Sequence, residues 1–108
     1  MVYLLLLSFL YATLLYLLSD ITWLTKKGWV LYHSETCGHC VTQIKDIGWK
    51  MYWVNSVKCN SSTQTCAEKG IRVFPTWLNT NTNQIHEGKI RMAELVDTLE
   101  AAPSIAQV

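Results

Sequence analysis

The chain has 108 residues, half of them hydrophobic, with nine Lys and Arg against eight Asp and Glu and a formal net charge of +1. That length allows one domain at most, and the near balance of charge supplies no basic field for nucleic acid. The hydrophobicity is concentrated at one end: MVYLLLLSFLYATLLYLLS, Met1 to Ser19, has no charged side chain, and the first lysine is Lys26.

About 20 apolar residues cross the hydrocarbon core of a bilayer as a helix, and Met1 to Leu24 reach that length with Asp20 as the only charge. The stretch reads as a single-pass transmembrane anchor over residues 1–24. It does not read as a cleaved signal, because no Lys or Arg precedes the apolar run and no small-x-small cleavage site follows it. Tyr3, Trp23 and Trp29 are placed for the headgroup layers at its two ends. The domain that remains, residues 25–102, is near the size at which one apolar core is only marginally sufficient, so a covalent staple would help. It holds all four cysteines, Cys37, Cys40, Cys59 and Cys66, which permit three pairings. Proximity in sequence favours Cys37 with Cys40 and Cys59 with Cys66.

WVLYH, Trp29 to His33, is short, aromatic and β-branched, and predicts a strand buried on both faces. From Cys40 onward Val41, Ile44 and Ile47 recur at i, i+3 and i+6 with Gln43, Lys45 and Asp46 between them, an amphipathic helix stopped near Gly48. MYWVNSVK, Met51 to Lys58, predicts a second strand. NSSTQTCAEKG reads as a short helix, with Asn60, Ser61 or Ser62 as N-cap and Gly70 at its C-terminal stop. In IRVFPTWLN, Pro75 cannot donate a ladder hydrogen bond and so marks a strand start or a turn. NTNTN, Asn79 to Asn83, is turn chemistry, and QIHEG answers TWLN as the other arm of a hairpin. A last helix runs from Arg91 to about Ala101 with Met92, Leu95, Val96 and Leu99 as its apolar stripe. Pro103 ends it, and residues 103–108 read as a flexible tail. The order strand, helix, strand, helix, hairpin, helix predicts an α/β domain: a mixed sheet covered by helices, its first two strands parallel through a right-handed crossover. Chemistry in such sheets gathers at the carboxyl ends of strands, where Cys37 falls.

A thiolate is the reactive form of cysteine, and the first turn of a helix favours it through unpaired N–H groups and the positive end of the helix dipole. Cys37 sits just before that turn and Cys40 one turn on, so the two can close a small ring. Gly38 lets the backbone bend, and His39 adds a group that can carry positive charge or donate a hydrogen bond. Cys37 is therefore expected to attack or be attacked first, and Cys40 to resolve the mixed disulfide. His33 and His86 read as solvated histidines without a role.

With CGHC on the page, the chain resembles the thioredoxin-fold proteins, in which this is the active-site tetrapeptide of the protein disulfide isomerases. The resemblance covers roughly residues 29–101, and its second anchor is VFPTW, Val73 to Trp77. It implies that Pro75 is a cis-proline opposite the cysteine pair, with Phe74 before it and neighbouring backbone pairing with a substrate strand. It also implies protein thiols and disulfides as substrates and no bound cofactor or metal. KCNSSTQTCAEKGIRVFPTW, Lys58 to Trp77, is similar to the thioredoxin-like domains attached to vitamin K epoxide reductase homologues, which implies a Cys59–Cys66 disulfide; two buried free thiols are the alternative. Two positions depart from the family. The acidic proton relay usual six residues before the first cysteine is Leu31, and the tryptophan usual just before the motif is Thr36. Deprotonation of Cys40 then falls to water or to a base elsewhere.

Two rival readings use the same residues. All four cysteines together would make a thiolate metal site, but six residues separate Cys59 from Cys66, wider than the two to four usual in structural zinc sites. The anchored format is also similar to small disulfide-isomerase-like proteins of large DNA viruses of algae. That likeness implies a minor capsid component beside the inner membrane of a particle, with viral capsid proteins as partners. Lys26 and Lys27 after the anchor place the domain on the cytosolic side, whereas the cysteine usage favours an oxidising lumen, so the side of the membrane stays open.

Overall fold

Leu18 divides the apolar N-terminal run. In the computed structural model, which describes residues 1–59 and 64–104, helix α1 spans Val2–Leu17 and helix α2 Ser19–Lys27, with a bend of 55° between them. The two halves differ because their patterns differ. All sixteen residues of α1 are exposed and none is charged, whereas α2 is amphipathic and buries Ile21 and Leu24 in the domain core. The expected anchor over residues 1–24 is thus two helices, and its second half belongs to the domain. Among the described residues no single helix is long and apolar enough to cross a membrane; the bent pair together meets that test by length and composition. Trp29, assigned to a headgroup layer by its sequence position, is instead a buried core residue, and Trp23 packs against the same core.

Gly28 closes α2 in the left-handed region, φ 93°, and a Cβ there would meet the Asn81 side chain at 2.6 Å, so the chain turns tightly into the sheet. Strand β1 (Trp29–Ser34) leads to helix α3 (Gly38–Ile47), a 3-10 segment (Gly48–Trp53), strand β2 (Ser56–Cys59) and helix α4 (Gln64–Glu68). Strands β3 (Thr76–Asn79) and β4 (Ile85–Glu87) form the hairpin, and a 3-10 turn (Met92–Glu94) opens helix α5 (Leu95–Glu100). The four strands make one mixed sheet in the order β2-β1-β3-β4, with β1 parallel to β2 and β3 antiparallel to both β1 and β4.

Alternation along the strands assigns the two faces. Trp29, Leu31 and Trp77 face a cluster with Ile21 and Leu24 of α2, Ile47 of α3, and Leu95 and Leu99 of α5. Tyr32 and Leu78 face the second, smaller cluster, which contains Ile71 and the bonded pair Cys59 and Cys66. That disulfide is 2 and 3 % exposed at its two residues and closes a short loop, for which chain entropy gives about 2.5 kcal/mol of stabilisation. It also takes two thiols out of any four-thiolate metal site.

Several elements depart from the sequence pattern. Met51, Tyr52 and Trp53 lie in the 3-10 segment and not in a strand; β2 starts only at Ser56, where the parallel register pairs it with Leu31. On α3 the buried residues are Cys40, Gln43 and Ile47, while Val41 is 47 % exposed, so the helix is rotated from the expected Val41, Ile44, Ile47 stripe. The final helix buries Leu95 and Leu99 as expected. Pro103 and Ser104 are not a loose tail: Ile85 N–H donates to Pro103 O at 2.9 Å, and Ser104 Oγ donates to Thr82 O at 2.9 Å, which covers the free edge of β4. The N-cap candidates Asn60, Ser61 and Ser62, and residues 105–108 of the expected tail, lie outside the described residues.

Candidate functional site

β1 ends at Ser34 and α3 begins at Gly38, so the connection carries Cys37 at the carboxyl edge of the sheet as the N-cap of α3. A helix start leaves N–H groups unpaired, and here the cap is a sulfur: Cys37 Sγ accepts from the Cys40 N–H at 3.2 Å. The same thiol donates to Phe74 O, also at 3.2 Å. Phe74 precedes Pro75, and the bond between them is cis. Two segments nearly forty residues apart in sequence therefore meet at one sulfur.

The loop that presents Phe74 O is braced on both sides. Thr76 Oγ1 donates to Val73 O at 2.6 Å, and Gly88 N–H donates to Pro75 O at 2.8 Å. Pro75 is buried and Phe74 half-buried against the second core cluster, so neither is free to drift from Cys37. Cys37 itself is half-exposed, and Val41 and Val73, near it and near Phe74 in sequence, are 47 and 44 % exposed. Gly38 is the first residue of α3, and a Cβ there would meet no atom within 4 Å outside its chain neighbours and its own helix. His39 is exposed in the first turn of α3.

Cys40 is a different thiol. It is 1 % exposed, and burial, followed by its contact with the Cys37 thiol, pushes its pKa up to about 11, with only the Ser34 backbone N–H working in the other direction. Leu31, at the position where the resembled family carries an acid, is fully buried and paired across strands with Trp77. His33 and His86 are not solvated loop residues: they lie on β1 and β4, half-buried. Burial is the larger cause that lowers the pKa of each; the Lys58 charge adds to it at His33, and Glu87 opposes it at His86. Lys58 also pairs with Glu35 at 2.9 Å, and this bond and charge hold the exposed Glu35 carboxyl below its ordinary range.

Gln43 is the site residue that the sequence pattern conceals. Read as part of the polar face of α3, it is fully buried one turn beyond Cys40. Its Nε2 donates to Ile90 O at 2.9 Å, and its Oε1 accepts from the Ile90 N–H at 2.7 Å. These two hydrogen bonds to the backbone of one residue fasten α3 to the segment that leads into α5. Its placement three residues after Cys40, on the same face, is the only local sign. Gln43→Leu leaves both Ile90 groups buried and unpaired and is expected to lower stability by about 2–4 kcal/mol in denaturant unfolding. An unchanged midpoint would show that Ile90 finds other partners.

Compared with known proteins, the chain matches no family model and no curated protein.

Proposed function

We propose that this chain is a thioredoxin-like thiol-disulfide oxidoreductase, held at a bilayer by α1, that exchanges disulfides with protein substrates. The observation that carries the reading is the double engagement of Cys37 Sγ, by the Cys40 N–H at a helix start and by the carbonyl preceding cis-Pro75. The Cys40 N–H fixes the sulfur at the helix start, and the Phe74 carbonyl sets it against the segment that leads into β3. The element order and the mixed four-stranded sheet support the thioredoxin-like architecture.

The chemistry is a balanced exchange. Cys37 thiolate attacks one sulfur of a substrate disulfide; the substrate S–S bond breaks, its second sulfur leaves as a thiolate, and a mixed disulfide forms. Cys40 then loses its proton and attacks Cys37 Sγ, releasing the other substrate thiolate and closing the Cys37–Cys40 bond. Two electrons pass from the cysteine pair to the substrate, and the reverse sequence oxidises a substrate dithiol. Val41, Val73 and the half-buried Phe74 offer apolar contact of the kind an incompletely folded chain exposes.

Full-length protein in detergent or vesicles, in a glutathione buffer, is expected to reactivate a scrambled disulfide-bonded protein, and the Cys37→Ala, Cys40→Ala double variant is expected not to. Equal reactivation by parent and double variant would end the proposal.

A further inference from the structure

The barest aromatic surface of the described domain is not at the dithiol. Trp49, Tyr52 and Trp53, in the 3-10 segment after α3, are 57, 86 and 46 % exposed. They pack edge to face on one another, with ring centroids 5.7 Å apart for Trp49 and Trp53 and 5.1 Å for Tyr52 and Trp53. An apolar ring with one polar N–H or O–H is best served where hydrocarbon meets headgroups, which is why Trp and Tyr gather in that layer.

Their place in the fold supplies the second observation. Lys50, in the same segment, lies 3.6 Å from Asp20 at the start of α2, and Thr25 Oγ1 of α2 donates to Trp53 O at 3.2 Å. Lys50 also lines a pocket of about 250 Å³ with Tyr16, Leu17, Ser19 and Asp20, at the junction of the two helices. The aromatic segment is thus fastened to the elbow where the wholly apolar α1 leaves the domain. Only Leu18 separates α1 from α2, so no linker allows the domain to stand off from a surface into which α1 inserts.

We propose that Trp49, Tyr52 and Trp53 form a lipid-contact surface, continuous with α1, that seats the domain directly on the headgroup layer. This rests on the bilayer reading of α1 given above. The aromatic cluster follows the C-terminal end of α3 while Cys37 caps its N-terminal end, so the ten-residue helix sets the two about 15 Å apart along its axis. Lipid and protein substrate then take different ends of the same helix.

The test uses the full chain reconstituted in phosphatidylcholine vesicles whose acyl chains carry bromine either near the headgroup or deep in the bilayer. Shallow bromine is expected to quench the tryptophan emission more than deep bromine. Trp49→Phe with Trp53→Phe keeps a ring at each exposed position and removes these two reporters, and is expected to lower the shallow-quenched emission at least twofold, because of the three tryptophans that remain Trp29 and Trp77 are buried in the core and Trp23 is half-buried against it. A chain that floats with the vesicles but whose quenching is unchanged by the double substitution overturns the lipid surface alone. Unquenched tryptophans that become exposed on dilution, as when a second copy covers them, also overturn it. A chain that does not float with vesicles at all overturns the bilayer reading and this surface with it.

Discussion

Chains carrying Cys40→Ala are expected to accumulate a mixed disulfide between Cys37 and substrate proteins, whereas Cys37→Ala chains form none and lose exchange by more than about 100-fold, the scale on which loss of a nucleophile is felt. The asymmetry follows from access. Cys37 is half-exposed, while Cys40 is 1 % exposed. Cys59 and Cys66 are bonded to each other and buried, so neither can take over the attack. With Cys37 present and Cys40 removed, the first exchange proceeds and the second has no nucleophile, leaving the covalent intermediate for non-reducing electrophoresis and peptide mapping to find. Mixed disulfides mapped to Cys40 in the Cys37→Ala chain, formed at the parent rate, would reverse the assigned roles.

That asymmetry was legible in the residues themselves, because it depends on near neighbours. A cysteine at a helix start and a second one turn later define the geometry between them within four positions; Pro75 is marked as a strand start or turn by its missing donor, but that its neighbour Phe74 meets Cys37 is implied only by the family resemblance. What lay out of reach was set by partners far along the chain. Gln43 looks like a solvent-facing helix residue until Ile90, 47 positions on, supplies both of its hydrogen bonds. With Gln43 buried on that face, Val41 is 47 % exposed although its spacing with Ile44 and Ile47 promised burial. Met51 to Trp53 carry strand-forming side chains, yet register with β1 at Leu31 begins at Ser56 and leaves them outside the sheet. The apolar run holds a boundary of its own: α1 carries no charge at all, while α2 carries Asp20, Lys26 and Lys27 and buries Ile21 and Leu24 in the cluster shared with β1 and α5.

The resolving step is expected to accelerate about tenfold for each pH unit between pH 7 and pH 9, about 100-fold in all, without levelling off in the range where ordinary thiols do. Burial, followed by the Cys37 thiol, pushes Cys40 up to about 11 in the dithiol, so near neutrality only a small fraction of molecules carries the attacking thiolate. Its contacts with the Cys37 thiol lapse once Cys37 is bonded to substrate, but burial, the largest cause, remains, and the Ser34 N–H opposes it only in part. A thiolate of higher pKa is also a stronger nucleophile, which raises the whole curve without changing its slope. Leu31, fully buried and paired across strands with Trp77, is apolar and can accept no proton, so the profile is expected to keep the slope that Cys40 itself sets. Preparing the mixed disulfide with a small thiol and following its collapse by rapid acid quench measures the step directly. A rate that stays level from pH 7 to pH 9 would mean that a base inside the fold accepts that proton, and would overturn the account of Cys40 as a thiol governed by burial alone.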